Sequence, residues 1–254
     1  MNQTWLGIYL VSLLFFQSPA CYSRDFIILA NPQQPFKFQE DSQLLGIDVD
    51  IIDLLMKKIN VPYEIQLIKS DARIQAQARS GKADMLILFS KKPSRIVYLI
   101  YPTQSYVNLT WNFFIQKKDE GRIQFNSLND LKGLRIGATK DISYTPEFWN
   151  AGLNLQMVSR NDLQISKLLK NRIDAVPLNT INTLYEEKKR GTLAQLSYLP
   201  KPLKSKPYYN VFTRASNHPD KKRVMEEYDK IIKEMKKDGT IQSIFKKYLG
   251  KKNL

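Results

Sequence analysis

The sequence predicts an α/β fold with mostly parallel strand pairing. Short apolar runs typical of strands alternate along the chain with segments whose apolar residues recur at helical spacing, and this order favours parallel sheets covered by helices. Hydrophobic residues make up 43% and charged residues 25% of the chain, a composition typical of globular proteins. The 254 residues suffice for one large domain or for two lobes with a substantial core.

The elements of the first half follow from apolar spacing and from residues that end helices and strands. Residues 26–30 form a short apolar run that ends at Asn31-Pro32. Apolar residues recur at helical spacing over 47–59, and Pro62 follows this helix. We also predict a strand over 63–68, a helix over 72–80 that Gly81 closes, a buried strand over 83–88 and a β-rich run over 107–115.

The second half continues the alternation of strands and helices. Ser127 is of the residue type that caps helices, so we predict a helix from there to Gly133. Apolar residues at 3.6-residue spacing predict an amphipathic helix over 220–237, followed by a last helix. The remaining predictions are strands over 134–138, 155–158, 174–178 and 208–213, and helices over 145–151, 162–170 and 180–190.

The first 23 residues are typical of a secretory signal peptide. No charged side chain occurs before Arg24, and the apolar run over 5–16 is too short to span a bilayer. Cleavage is expected after Ala20 or after Ser23, which predicts an exported protein. The alternatives are a buried N-terminal core helix and a lipoprotein anchored at Cys21.

The net charge of +15 raises the question of nucleic-acid binding. Of this charge, +9 lies in residues 201–254, where the basic side chains fall on the polar faces of the two terminal helices. A solvated helix face accounts for such a charge, so we predict no nucleic-acid partner. A basic surface also attracts anionic ligands or anionic lipid.

The scarcity of cysteine and histidine excludes several kinds of chemistry. Cys21 is the only cysteine, so the chain has no internal disulfide, cysteine metal site or internal cysteine nucleophile. His218 is the only histidine, which excludes Cys-His catalysis and histidine-based metal ligation. We therefore expect no cofactor.

Several short segments resemble the family 3 bacterial solute-binding proteins, in the same order along the chain. The resemblance covers nearly all of the mature chain, and the ordered set is more specific than any one piece. The segments are Pro35-Phe36, Gly46-Ile47-Asp48-Val49-Asp50-Ile51-Ile52, Ser80-Gly81-Lys82-Ala83-Asp84, Ser94-Arg95, Leu131-Lys132-Gly133-Leu134-Arg135-Ile136-Gly137, Asn171-Arg172-Ile173-Asp174-Ala175-Val176 and Met235-Lys236-Lys237-Asp238-Gly239-Thr240-Ile241.

The resemblance implies the two-lobed periplasmic-binding-protein fold of type II. Each lobe is then a mostly parallel sheet flanked by helices, and two hinge strands near 107–117 and 207–213 join the lobes. Lobe one would comprise residues 24–113 and 209–254, and lobe two residues 114–208.

The implied function is the capture of a small polar, carboxylate-bearing solute, an amino acid or a related compound, between the lobes. The expected partner is an ABC permease or a membrane sensor, and the expected oligomeric state is a monomer. The alternative is an exported, dehydratase-like enzyme on the same scaffold, for which Asp71, Asp141 or a lysine would supply the general acid or base.

In the family pattern, an arginine clamps the ligand carboxylate, and Arg95 stands at its position. Ser90 stands at the hydroxyl-donor position, and Phe36 resembles the aromatic residue that stacks on the ligand. The alternatives are a surface ion pair for Arg95, a helix cap or turn for Ser90 and a core position for Phe36.

The pattern also assigns candidates to the second lobe and shows departures. Ser143 and Tyr144 lie in the loop that contacts ligand, with helix capping and packing as the alternatives. Asn179 stands where an aspartate usually pairs with the ligand ammonium. Asp71 and Arg73 lie near a position that is usually aromatic. Each is a candidate to face the cleft, with a surface position as the alternative.

Overall fold

The computed structural model describes residues 24–140, 142 and 144–250, so the predicted leader with Cys21, as well as Asp141 and Ser143, lies outside the described residues. Within this part of the chain, strands and helices alternate as predicted. The strands are β1 (Phe26–Ala30), β2 (Phe38–Glu40), β3 (Gln43–Leu45), β4 (Tyr63–Leu67), β5 (Met85–Ser90), β6 (Leu99–Ile100), β7 (Val107–Gln116), β8 (Arg135–Thr139), β9 (Asn154–Val158), β10 (Val176–Asn179) and β11 (Leu196–Thr213). The α-helices are α1 (Ile47–Ile59), α2 (Asp71–Arg79), α3 (Pro93–Ile96), α4 (Pro146–Asn150), α5 (Asp162–Leu169), α6 (Thr180–Lys189), α7 (Lys221–Lys237) and α8 (Thr240–Leu249).

The main sheet has the strand order β10-β7-β11-β5-β1-β4, and β6 pairs with β11 at its side. Strand β1 pairs in parallel with both β4 and β5, and β8 pairs in parallel with β9. Strand β11 is antiparallel to β5 and β7, and β10 is antiparallel to β7. The α/β class is therefore confirmed, with parallel pairs in two separate groups and long antiparallel strands between them.

Strands β7 and β11 connect these two groups. They pair along most of β7, from Tyr208 opposite Val107 to Leu196 opposite Gln116. One end of β11 pairs with β5, whereas β10 pairs with β7 from Asn179 opposite Trp111. The two long strands therefore carry the chain from one group to the other. The division at 113/114 and 208/209 remains a prediction.

Strand β11 begins twelve residues earlier than the predicted strand over 208–213. Its first part contains Pro200, Pro202 and Pro207, which interrupt the apolar alternation. The pairing register shifts between Tyr198 and Pro202, so the strand tolerates these prolines at irregular positions. The helix predicted from Ser127 is a four-residue 3-10 turn, Leu128–Leu131, with a capping box at its start.

The apolar faces of α1, α7 and α8 pack together against the main sheet. In this core, Tyr228 meets Phe212 edge to face with the ring centroids 5.7 Å apart. A second apolar cluster, which includes Phe113, Phe125 and Phe148, lies around β8. Among the described residues, no helix has the length and apolar character required to cross a bilayer.

Two buried polar groups fix the start of the described chain. Asp84 accepts hydrogen bonds from Arg24 at 2.6 and 2.7 Å, from the Ile27 amide at 2.7 Å and from the Ser216 hydroxyl. His218 accepts the Asp220 amide at Nδ1 (3.1 Å), and its Nε2 lies 2.7 Å from the Arg24 carbonyl oxygen. Asp84 and His218 therefore hold β1 against the segment before α7.

Candidate ligand-binding site

A cavity of about 260 Å³ lies beyond the carboxyl ends of β1 and β5, beside the long strands β7 and β11. In sheets of this class, ligands bind at the carboxyl ends of parallel strands. Four of the eight predicted site residues line this cavity: Asp71, Ser90, Arg95 and Asn179. The other lining residues are Asn31, Gln33, Gln75, Leu88, Phe89, Lys92, Leu109, Trp111 and Tyr208.

Ser90 and Arg95 are tied together at the end of β5. Ser90 is the buried last residue of the strand, and Pro93 then begins the single turn α3 that carries Arg95. Arg95 Nη1 donates to the Ser90 carbonyl oxygen at 3.0 Å and to its hydroxyl at 3.2 Å. The guanidinium also lies 4.8 Å from the centre of the Phe89 ring. The position of Arg95 is thus set by its own turn.

A neighbouring tyrosine also holds this turn in place. The Tyr101 hydroxyl donates to the Ser90 carbonyl oxygen at 3.0 Å, and burial raises the pKa of Tyr101 to about 12. Among the described residues, no carboxylate lies within ion-pair distance of Arg95. Arg95 therefore has no acidic partner for a surface ion pair among the described residues. Its half-buried guanidinium faces the cavity.

Asn179 enters the cavity from the other group of strands. It is the last residue of β10, and its side chain caps α6 by accepting the Asn182 amide at 3.0 Å. This bond fixes which end of the Asn179 amide is the oxygen. The Oδ1 atom is thus turned towards α6, and Nδ2 is a donor that can contact a ligand.

Asp71 and Arg73 occupy different sides of α2. The helix begins at Asp71, after Ser70, whose hydroxyl accepts the Arg73 amide at 3.3 Å. Asp71 lines the cavity, whereas the exposed Arg73 is not among the described residues that line it. Two residues along a helix correspond to a rotation of about 200°, so a helix that directs Asp71 to the cavity directs Arg73 away from it.

The structure places Phe36 in the core, which is the alternative to stacking on a ligand. Its side chain has no accessible surface, so the ring offers no face to a ligand. The segment is held by α1, because the Asp48 amide donates to the Phe36 carbonyl oxygen at 2.7 Å. Gly46, at φ 135°, permits this approach, since a Cβ atom there would overlap the same oxygen.

Tyr144 also packs, and the expectation that it contacts ligand is not met in this structure. The ring is buried against Phe148, with the centroids 4.9 Å apart, and the Thr139 amide donates to the Tyr144 hydroxyl at 3.3 Å. Burial raises the pKa of Tyr144. Ser143 lies outside the described residues, whereas Ile142 of the same loop lines a second cavity, described next.

This second cavity, of about 480 Å³, adjoins the first and shares Gln33, Trp111 and Asn179 with it. It extends along α6 towards the loop between β8 and α4. Glu186 and Glu187 line it, and both lie within ion-pair distance of Arg190, at 3.9 and 2.8 Å. The open space therefore runs from the β5 group of strands to the β8–β10 group.

Sequence reasoning missed the residues that the long strands contribute. Trp111 on β7 pairs with Asn179 on one side and Lys204 on the other, and the Lys204 ammonium lies 4.9 Å from the centre of the Trp111 ring. Lys206 and Tyr208 follow Lys204 at alternate positions of β11, which places all three on one face. The alternation is visible in the sequence, but its direction depends on the pairing with β7.

The basic side chains of this face lie close together. Burial lowers the pKa of Lys206, and the charges of Lys92, Lys204 and Arg95 lower it further. These four residues come from the β5–α3 connection and from β11. In the described part of the chain, no group of His, Cys, Asp and Glu side chains has an arrangement that could hold a metal ion. The cavity is thus bordered by a face rich in basic side chains.

Residues 27–251 match the family model described as bacterial extracellular solute-binding proteins, family 3. The chain belongs to this family. This family 3 protein is 28% identical over 217 residues to a probable histidine-binding protein of Campylobacter jejuni, covering 85% of this chain and 80% of the relative. It is 26% identical to the L-cystine-binding protein of Escherichia coli, covering 85% and 79%.

Solved structures support the same fold for this family 3 protein. The L-cystine solute receptor of Neisseria gonorrhoeae, in its unliganded open conformation, matches with a TM-score of 0.76 at 16% identity, covering 90% of this chain and 94% of the receptor. Substrate-binding domain 2 of Lactococcus lactis GlnP matches with a TM-score of 0.74 at 21% identity, covering 89% and 95%. The protein thus has the two-lobed type II fold. Its membership of family 3 makes it a solute-binding protein.

Proposed function

We propose that the protein captures a small carboxylate-bearing solute, an amino acid or a related compound, and delivers it to an ABC-type transporter. The observation that carries this proposal is the arrangement of Arg95, which Ser90 holds at the wall of a cavity that Asn179 enters from the other side. A guanidinium is suited to a carboxylate because it donates two parallel hydrogen bonds to it. Relatives named for binding histidine, cystine and arginine support the amino-acid class.

The other lining residues suit a small polar molecule. The Ser90 hydroxyl offers a further polar contact to the carboxylate, and the Trp111 ring offers an apolar face. Asp71 is the carboxylate among the described lining residues and is the candidate partner for a ligand ammonium. Phe36, Arg73 and Tyr144 are left out of the proposed set because of where the structure places them.

Capture is proposed to close the cleft between lobe one (24–113 and 209–254) and lobe two (114–208). Strands β7 and β11 are the connections about which such a movement would occur. A ligand that contacts both Arg95 and Asn179 would stabilise the closed state, since these residues belong to different lobes. A transporter that recognises the closed state would then accept only the loaded protein.

The proposed compartment is the periplasm. The leader over residues 1–23 supports export, and the family consists of extracellular proteins. An ABC permease is the preferred partner, because the relatives that match over most of this chain are named as amino-acid-binding proteins. A membrane sensor is the second candidate. We propose that the protein acts as a monomer.

The test is a binding screen with amino acids and related mono- and dicarboxylates, by thermal shift and then calorimetry. We expect at least one carboxylate-bearing solute to stabilise the protein and Arg95→Ala to abolish this effect. Arg172→Ala is the matched control, because Arg172 is exposed and is not among the described lining residues. Failure of every solute, or unchanged binding by Arg95→Ala, would contradict the proposal.

A further inference from the structure

We propose that the preferred solute is a dicarboxylate, with its second carboxylate bound by the lysines beside Arg95. This inference rests on the proposed function, because it adds a second anionic group to the ligand that Arg95 is proposed to hold. It is carried by the basic cluster of Lys92, Arg95, Lys204 and Lys206, together with the side-chain orientation of Asn179.

Two of the four basic residues line the cavity, and the other two pair with strand residues that line it: Lys204 with Trp111 and Lys206 with Leu109. Lys92 and Arg95 line it directly from the β5–α3 connection. Lys206 belongs to the face of β11 that continues to Tyr208, which pairs with Ser90 on β5. Lys206 thus lies two residues before Tyr208, close to the Ser90–Arg95 pair. The positive charges of Lys92, Lys204 and Arg95 lower the pKa of Lys206.

In the described part of the chain, few acidic side chains face Lys92, Arg95 and Lys206. Asp71 is the one carboxylate among the described residues that line the cavity. Within the same part of the chain, Lys92, Arg95 and Lys206 have no carboxylate within ion-pair distance. Glu186 and Glu187 of the adjoining cavity are paired with Arg190.

A single carboxylate on Arg95 would leave Lys92 and Lys206 without a counter-charge from the described residues inside a closing cleft. Like charges brought together in a desolvated site repel one another, and closure removes water that screens them. A second carboxylate on the ligand offsets this repulsion. A solute with an uncharged amide at the same position does not.

Asn179 points to the same class of ligand. Its Oδ1 accepts the Asn182 amide at 3.0 Å, which turns the oxygen towards α6 and leaves the Nδ2 hydrogens as donors for the solute. An amide N–H donates to carboxylate or carbonyl oxygens and does not accept from an ammonium. The second lobe therefore also presents a donor to an acidic ligand.

The test compares ligands that differ only in the second acid group: glutamate with glutamine, aspartate with asparagine, and succinate with succinamate. Calorimetry should show that the acid of a pair binds at least about tenfold more tightly, which is about 1.4 kcal/mol. We expect Lys206→Gln and Lys92→Gln each to reduce this preference, because each variant loses more affinity for the acid than for the amide. Retained binding of the amide shows that the variants are folded.

Lys230→Gln is the matched control, because Lys230 is exposed on α7 and is not among the described residues of this cavity. It removes the same charge without touching the site, so the preference should persist. Equal or tighter binding of the amides by the unaltered protein would overturn this inference and leave the proposed function standing. Failure of all acids and amides, together with every other carboxylate in the screen, would overturn the proposed function itself.

Discussion

Arg95 donates from a single guanidinium nitrogen to both the carbonyl oxygen and the hydroxyl of Ser90, at 3.0 and 3.2 Å. The two residues are separated by one short turn, so the arginine is oriented by its own segment and not by the second lobe. Side-chain ordering is one of the costs of binding, and a side chain that is already ordered avoids much of it. If Arg95 holds the ligand carboxylate as proposed, its guanidinium is already ordered before any closure of the cleft.

Replacement of Arg95 should weaken binding in proportion to what each variant loses. Arg95→Lys keeps the positive charge but loses the two-donor geometry. Arg95→Ala removes the counter-charge and should cost ~2–5 kcal/mol, roughly thirty-fold to several-thousand-fold in affinity. Calorimetry with the best solute of the screen measures both. Affinity unchanged by Arg95→Ala, with circular dichroism intact, would show that Arg95 does not hold the ligand.

Trp111 should report solute binding through its intrinsic fluorescence. The chain has three tryptophans: Trp5 lies in the predicted leader, Trp111 lines the cavity, and Trp149 lies at the end of α4, 38% exposed. Binding changes the polarity around the Trp111 indole, so the emission of the mature protein should shift on titration. Trp149→Phe should preserve this shift and Trp111→Phe should remove it. The opposite pattern would place the ligand elsewhere.

The fold could be predicted where the signal is local. Helix α1 has the bounds that apolar spacing and the following Pro62 predict. Most of β11 could not be predicted, because Lys204, Lys206 and the nearby prolines do not form an apolar alternation. Its strand conformation comes from pairing with β7 over many residues, and such non-local pairing leaves little trace in a short window.

The site could be predicted where the family pattern assigns a residue near the end of a strand. Arg95, Ser90 and Asn179 meet at one cavity, as the resemblance implied. Phe36 could not be separated from a core residue, because an aromatic ring beside a proline suits either environment. Trp111 was missed, because the face of a strand that borders a cleft depends on the pairing of both its neighbours.

Lys37 and Asp48 form a buried ion pair whose partners depend on each other. Both side chains have no exposed surface, and Nζ lies 3.4 Å from Oδ2, while the Tyr106 hydroxyl donates to Oδ1 at 2.6 Å. Lys37→Met would leave the buried carboxylate without its cation and should cost ~3–5 kcal/mol of unfolding free energy near neutral pH. Adding Asp48→Asn should restore most of this loss. Urea unfolding measures the unfolding free energy of each variant. A Lys37→Met variant as stable as the unaltered protein would contradict the pairing.

The same pair predicts a specific pH dependence of stability. Burial raises the pKa of Asp48 from 3.8 to about 6, although Lys37 and Tyr106 oppose the shift. The folded protein therefore holds this proton more tightly than the unfolded chain. The contribution of Asp48 to stability is fully present below about pH 4 and is lost as the pH rises through about 6.

Comparison of variants isolates this contribution from that of other carboxylates. Asp84 and Asp174 have lowered pKa values, so they act in the opposite direction. We therefore compare the unaltered protein with the Lys37→Met, Asp48→Asn double variant. Between pH 4 and 6, the unfolding free energy of the unaltered protein should fall relative to that of the double variant as the pH rises. A constant difference across this range would show that Asp48 does not titrate there.

Asn179 should determine how strongly the cleft discriminates between acids and amides. Asp is as good a helix cap as Asn, so Asn179→Asp should keep the bond to the Asn182 amide and the stability of α6. It replaces a donor with a negative charge, which repels a second carboxylate and attracts an ammonium. We expect glutamate to lose at least about tenfold in affinity relative to glutamine. Asn179→Ser, which retains a capping oxygen without the charge, is the control and should change the ratio much less. If Asn179→Asp leaves the ratio of the two affinities unaltered in calorimetry, the side chain does not contact the part of the ligand in which glutamate and glutamine differ.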